Sequence, residues 1–93
     1  MDLSFGAALE AAERGERIAR KGWNGRGIFV FKVSGGAVTP VTKAPNTPVL
    51  SVGPFLAIDT NGLQSDNPDA PRSVVPWLAS QTDMLAQDWT VVA

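Results

Sequence analysis

Arg14, Arg17, Arg20, Lys21 and Arg26 place five of the chain's eight positive charges within thirteen residues, and the run ends beside Trp23 and an Asn24-Gly25 pair. Cations next to an indole and small backbone units suit a nucleotide. A base stacks on the ring for about 1 to 3 kcal/mol. Phosphates take charge-assisted bonds from Arg, or from N–H groups around Gly22, Gly25 and Gly27. The same pattern fits a solvated strand whose Arg and Lys stems cover apolar surface, with Trp23 in the core. The glycines match neither Walker nor Rossmann spacing, so no phosphate loop of either kind is claimed.

A second constellation runs Trp77-Leu78-Ala79-Ser80-Gln81-Thr82-Asp83-Met84 and is followed by Asp88-Trp89. It holds two indoles, a helix start, and an amide, two hydroxyls and a carboxylate able to read a base edge or a ribose. Its plainer reading is that Ser80 and Asp83 cap a helix while both Trp pack inside. Asp83 at a helix N-terminus stays ionised, which suits it to accept hydrogen bonds rather than to act as an acid. A hydrolase would need a carboxylate pair such as Asp83 and Asp88, or a metal on Asp59, Asp66 and Asp69; neither spacing is diagnostic. The chain has no His and no Cys, which removes imidazole acid/base chemistry, thiolate nucleophiles, disulfides and the usual zinc sites.

These groups need elements to hold them. Ser4 caps a helix over 5–14, with Phe5, Ala8, Leu9 and Ala12 at helical spacing and Gly15 as the stop. Asn24-Gly25 is a strong hairpin signal, so Arg17 to Trp23 and Gly27 to Val33 read as paired strands, the second apolar on both faces and covered on one of them by another subunit. Residues 34–53, broken by Gly35, Gly36, Pro40, Pro45 and Pro48, read as a long irregular excursion. Residues 54–59 form a strand, 61–71 a polar, Pro-rich mobile loop, and 73–78 a strand kinked by Pro76. Ser80 and Asp83 form a capping box for a short helix. A last strand covers 88–92, with Trp89 and Val91 on one face. The sum is one α+β ligand-binding domain over 1–93: a small, mainly antiparallel sheet of about five strands with two short helices.

Eight Lys and Arg against nine Asp and Glu give a net charge of −1, which disfavours a duplex-DNA partner. No run of about 18 apolar residues offers a membrane span, so the expected location is cytosolic. An 18% charged share leaves fewer solvating groups than the usual quarter and favours a homo-oligomer.

Phe5-Gly6-Ala7-Ala8-Leu9, Arg20-Lys21-Gly22-Trp23-Asn24-Gly25 and the block from Val75 to Trp89 resemble the phage and prophage family that includes the second class of Thoeris anti-defence proteins. The resemblance implies a small α+β homo-oligomer, typically a tetramer, acting in the cytoplasm of an infected bacterium. It implies sequestration, without degradation, of a cyclic ADP-ribose-type signal made by a TIR-domain defence enzyme; no cofactor and no metal are expected. Carried onto the matching blocks, it assigns Trp23 and Phe29 to stacking, and Arg20, Lys21, Asn24 and Gly25 to phosphate or ribose. Ser80, Gln81, Thr82 and Asp83 go to base and sugar hydroxyls, while Trp77 and Trp89 brace the pocket or a subunit contact. The 61–72 stretch is longer and richer in Pro than the family's short turn, and 34–53 matches no block of it. Two other readings stand beside this one: an RNA or single-strand binding module built on the basic hairpin, and a structural, oligomer-forming phage component in which every Trp is core.

Overall fold

The computed structural model describes residues 2–23, 27–39, 43, 48–64 and 66–92. Helix α1 (Phe5–Glu13) begins where the Ser4 hydroxyl accepts the Ala7 N–H at 3.2 Å. It ends in a Schellman arrangement: the Gly15 N–H donates to the Ala12 carbonyl and the Glu16 N–H to that of Ala11. Gly15 sits at φ 92°, where a side chain would be strained.

The strands are β1 (Arg17–Arg20), β2 (Phe29–Val33), β3 (Gly36–Val38), β4 (Leu50–Val52), β5 (Phe55–Asp59), β6 (Val74–Pro76) and β7 (Trp89–Val92), with helix α2 (Gln81–Leu85) before the last. Five of them form one sheet in the order β6-β5-β2-β1-β7, every neighbouring pair antiparallel. The expected α+β class is therefore the observed one.

Register fixes the two faces. Ile18 stands opposite Val30 and Val91, and Arg20 opposite Trp89. On this face α1 lies close, because its buried residues are the small Ala8, Ala11 and Ala12; together with Ile18, Val30 and Trp89 they form the core. Trp89 and Val91 share this face, but the helix covers only Trp89, and Val91 stays 40% exposed on the edge strand. The opposite face carries Ala19, Phe29, Phe31, Val33, Phe55, Ala57 and Val74. It is largely apolar, with Arg17, Thr90 and Asp59 also on it, and it is incompletely covered, with Phe55 at 38% and Val74 at 47% exposure.

Three expectations need correction. First, β1 stops at Arg20 rather than Trp23: the Lys21 N–H makes the last in-register bond, to the Asp88 carbonyl, and the Gly22 N–H then turns to the Asp88 carboxylate. The Asn24-Gly25 turn itself lies outside the described residues. Second, 34–53 is not wholly irregular. Val33 opposite Phe55 leads, without a slip of register, to Gly36 opposite Val52 and Val38 opposite Leu50. β3 and β4 are thus the outer half of one long β2–β5 hairpin, interrupted at Ser34-Gly35 and Gly53-Pro54, where Pro54 has no N–H for the ladder. Third, the last sheet strand before α2 is the short Val74–Pro76; the Trp77 N–H still donates to the Leu56 carbonyl, and its ring joins the aromatic cluster. No described helix is long and apolar enough to cross a membrane.

Candidate functional site

The residues that end β1 meet the segment around α2 in a single polar knot. Arg20 Nε donates to Asp88 Oδ1 at 2.8 Å and Arg20 Nη1 to Asp83 Oδ1 at 2.9 Å. Trp23 Nε1 donates to the same Asp83 oxygen at 3.1 Å, and Gly22 N–H to Asp88 Oδ2 at 2.7 Å. Trp89 Nε1 donates to the Asp83 carbonyl at 2.9 Å. Asp83 is held from its own side by the capping box: its N–H donates to the Ser80 hydroxyl, and its carboxylate accepts the Ser80 N–H.

The charges follow from these contacts. Burial pushes the Asp83 carboxyl up, but hydrogen bonds from Arg20, Trp23 and Ser80 outweigh it and hold it below the ordinary carboxylate value. The Arg20 hydrogen bond, with help from the Gly22 N–H, depresses Asp88. Asp88 and Asp83 in turn raise Arg20. Both carboxylates therefore stay ionised around a guanidinium, so this pair is an ion-pair anchor and has no proton to give at neutral pH.

Behind the knot the indoles pack edge to face. Trp23 lies 5.3 Å from Trp89 and 6.4 Å from Trp77, and Trp77 lies 5.9 Å from Trp89. Phe5 of α1 closes the cluster against Trp77 and Trp89. Trp89 is fully buried and Trp77 half-buried. Trp23 also reaches outward, into the wall of an open cavity of about 430 Å³ that Arg17, Arg20, Lys21 and Phe29 line with it. That volume falls in the usual range for small-molecule sites.

Of the residues singled out from sequence, Arg20, Lys21, Trp23 and Phe29 come together on this cavity. Ser80, Gln81, Thr82 and Asp83 do not line it; they form the N-cap and first turn of α2, and only the Asp83 carboxylate connects them to it, through Arg20 and Trp23. Asn24 and Gly25 lie outside the described residues. Ala19, Gly27, Ile28, Val92 and Arg17 also line it, and Arg17 is the one charged residue among these five. Its guanidinium sits 4.9 Å above the Phe29 ring. Arg20 is neutralised by two carboxylates and Lys21 pairs with Asp2, whereas Arg17 has no carboxylate partner among the described residues. The strand alternation that puts Arg17, Ala19 and Phe29 on one face was the signal for it. No group of three His, Cys, Asp or Glu among the described residues is placed to hold a metal; Asp59 instead accepts the Asn61 N–H.

One loop does reach the site. Gly62 packs backbone to backbone on Gly27, close enough that a Cβ on Gly27, itself at φ 81°, would meet the Gly62 carbonyl oxygen.

A curated relative, Thoeris anti-defense 2 from Bacillus phage SP01, is 34% identical over 96 residues, spanning 98% of this chain and 96% of that protein. Family membership of this kind supports a phage anti-defence role. The Thoeris anti-defense 2-like domain matches residues 3–92, so that the chain, with its aromatic cluster, ion-pair knot and cation-lined cavity, belongs to the Thoeris anti-defense 2-like family.

Proposed function

We propose that the protein binds and holds a cyclic ADP-ribose-type signal, of the glycocyclic ADP-ribose kind, without degrading it, and so blocks Thoeris effector activation in the cytoplasm of the infected bacterium. The observation that carries this is the joint placement of Trp23, Phe29, Arg17, Arg20 and Lys21 around one cavity in a chain of this family. An indole and a phenyl ring accept a purine, and Arg17, the one lining cation without a carboxylate partner among the described residues, donates to pyrophosphate oxygens. The absence of His and Cys from the chain, together with two carboxylates locked onto Arg20, supports storage rather than turnover.

A sponge must hold a scarce signal, which asks for a Kd near nanomolar, about −12 kcal/mol. The open cavity of one chain falls short of the enclosure this needs, and a second copy supplies the remaining wall. The chain exposes 6471 Å², whereas a folded monomer of its mass exposes about 5,200 Å². We assign the self-association, a tetramer by family resemblance, to the apolar sheet face bearing Phe31, Phe55 and Val74.

The test is retention and release. The native protein is incubated with glycocyclic ADP-ribose, separated from free ligand and denatured by heat. Recovery of intact nucleotide is the expected result. A native protein that retains none, or releases cleaved products, overturns the reading.

A further inference from the structure

Asp88 has no place on the cavity wall, yet three of its acceptors hold three consecutive residues that lead into that wall. Its Oδ1 accepts from Arg20 Nε, its carbonyl from the Lys21 N–H at 3.1 Å, and its Oδ2 from the Gly22 N–H. The partners stand more than sixty residues apart in sequence, so this contact joins the start of β7 to the end of β1. Without it, Asp83 is the one carboxylate left on Arg20, while Trp23 keeps its Asp83 bond, its N–H bond to the Arg20 carbonyl and its ring contacts with Trp77 and Trp89.

Gly22 completes the fit. A Cβ there would lie 2.7 Å from Asp88 Oδ2 and 3.3 Å from Arg20 Nη2. A residue larger than glycine therefore separates the carboxylate from the amide it accepts. Any larger side chain here is disfavoured by close approach and not by backbone angle, because the carboxylate and guanidinium ends must shift to admit it.

From this we propose that Asp88 is a positioning residue for the ligand cavity: it clamps Arg20, Lys21 and Gly22 so that the guanidinium and the indole of Trp23 are presented preformed. This rests on the nucleotide-binding reading of the same cavity. Preforming the wall removes an ordering cost that binding would otherwise bear.

The test compares Asp88→Asn, Asp88→Glu and Gly22→Ala with the unaltered protein, using glycocyclic ADP-ribose as probe. The Asn amide is a donor where an acceptor is needed, so Asp88→Asn puts two donors face to face. The expected result is an affinity loss of roughly 10- to 100-fold for Asp88→Asn, partial recovery with Asp88→Glu, and a comparable loss for Gly22→Ala. Glu13→Gln, which breaks the exposed pair to Lys32 away from this loop, leaves affinity unchanged. The Gly22 amide proton resonance reports the clamp without any ligand, and moves upfield in Asp88→Asn as the carboxylate acceptor is lost. A folded Asp88→Asn variant that binds within twofold of the parent overturns the proposal while leaving the function standing. An unmoved Gly22 resonance overturns it also. If Asp88→Asn does not fold, Gly22→Ala decides: reduced affinity supports the clamp and unchanged affinity overturns it. If the unaltered protein binds no probe but the resonance moves, the nucleotide reading fails and the proposal that depends on it falls with it.

Discussion

Asp83 spends its acceptors inside the protein: Oδ1 on Arg20 and Trp23, Oδ2 on the Ser80 N–H, and its carbonyl on Trp89 Nε1. Replacing it with Asn leaves a half-buried donor against donors, and we expect a loss of about 1 to 3 kcal/mol, read as a lower melting temperature. The depressed carboxyls of Asp83 and Asp88 also set a pH dependence. A carboxyl lowered in the folded state contributes its stability fully above the ordinary value of 3.8 and loses it as pH falls through the lower folded values. Melting temperature should therefore drop on acidification below about pH 4, and by less in an Asp83→Asn, Asp88→Asn double variant. Equal acid sensitivity in the two proteins would refute the assignment. Arg17 makes the opposite kind of contribution: it is exposed and has no carboxylate partner among the described residues, so Arg17→Ala should leave the melting temperature nearly unchanged while weakening nucleotide binding about 10-fold or more.

At the scale of elements, what was legible in the sequence was what is local. Ser4 and Gly15 bracket α1, and Ser80 with Asp83 opens α2, because a cap is written within three or four residues of the bonds it makes. The strand starting at Arg17 was visible from the Asn24-Gly25 pair that follows it, and its early end at Arg20 was not, since Asp88 acts from 66 residues away. The β3–β4 ribbon was hidden because Gly35, Gly36 and Pro54 break the alternation while the register inherited from β2 and β5 continues through them. Half of the proposed site was legible from its cations and indole. The other half was not: Ser80, Gln81 and Thr82 look like binding groups in a row, but the fold uses Ser80 as a cap and keeps all three off the cavity wall. The Gly27–Gly62 contact was equally invisible, being a pair of glycines 35 positions apart. It gives a sharp contrast. Gly27→Ala, strained at φ 81° and blocked by a backbone oxygen, should cost about 1 to 3 kcal/mol or more. Gly36→Ala in β3, with open space around it, should be neutral or slightly stabilising. Thermal melts of the two variants check both.

Across the whole molecule, the radius of gyration is 15.7 Å, against about 12 Å for a compact domain of this length. The ribbon explains the difference: a two-stranded ribbon is marginal alone, and its Val38 and Leu50, paired on one face, are 45% and 47% exposed. With the open sheet face, it gives the chain two apolar surfaces that another copy can cover. Light scattering on the purified protein should find an assembly, and Phe55→Asp or Val74→Asp on the sheet face should shift it toward the roughly 10 kDa chain without unfolding it. A monomer in the unaltered protein would contradict the shared cavity. The central claim is that rings and cations around one cavity hold a cyclic ADP-ribose-type nucleotide intact, and titration calorimetry with glycocyclic ADP-ribose tests it most directly. Saturable heat with a Kd near nanomolar, weakened by Trp23→Ala in a folded variant, is the expected result; the absence of heat, or a steady heat of turnover without saturation, would overturn the proposed function.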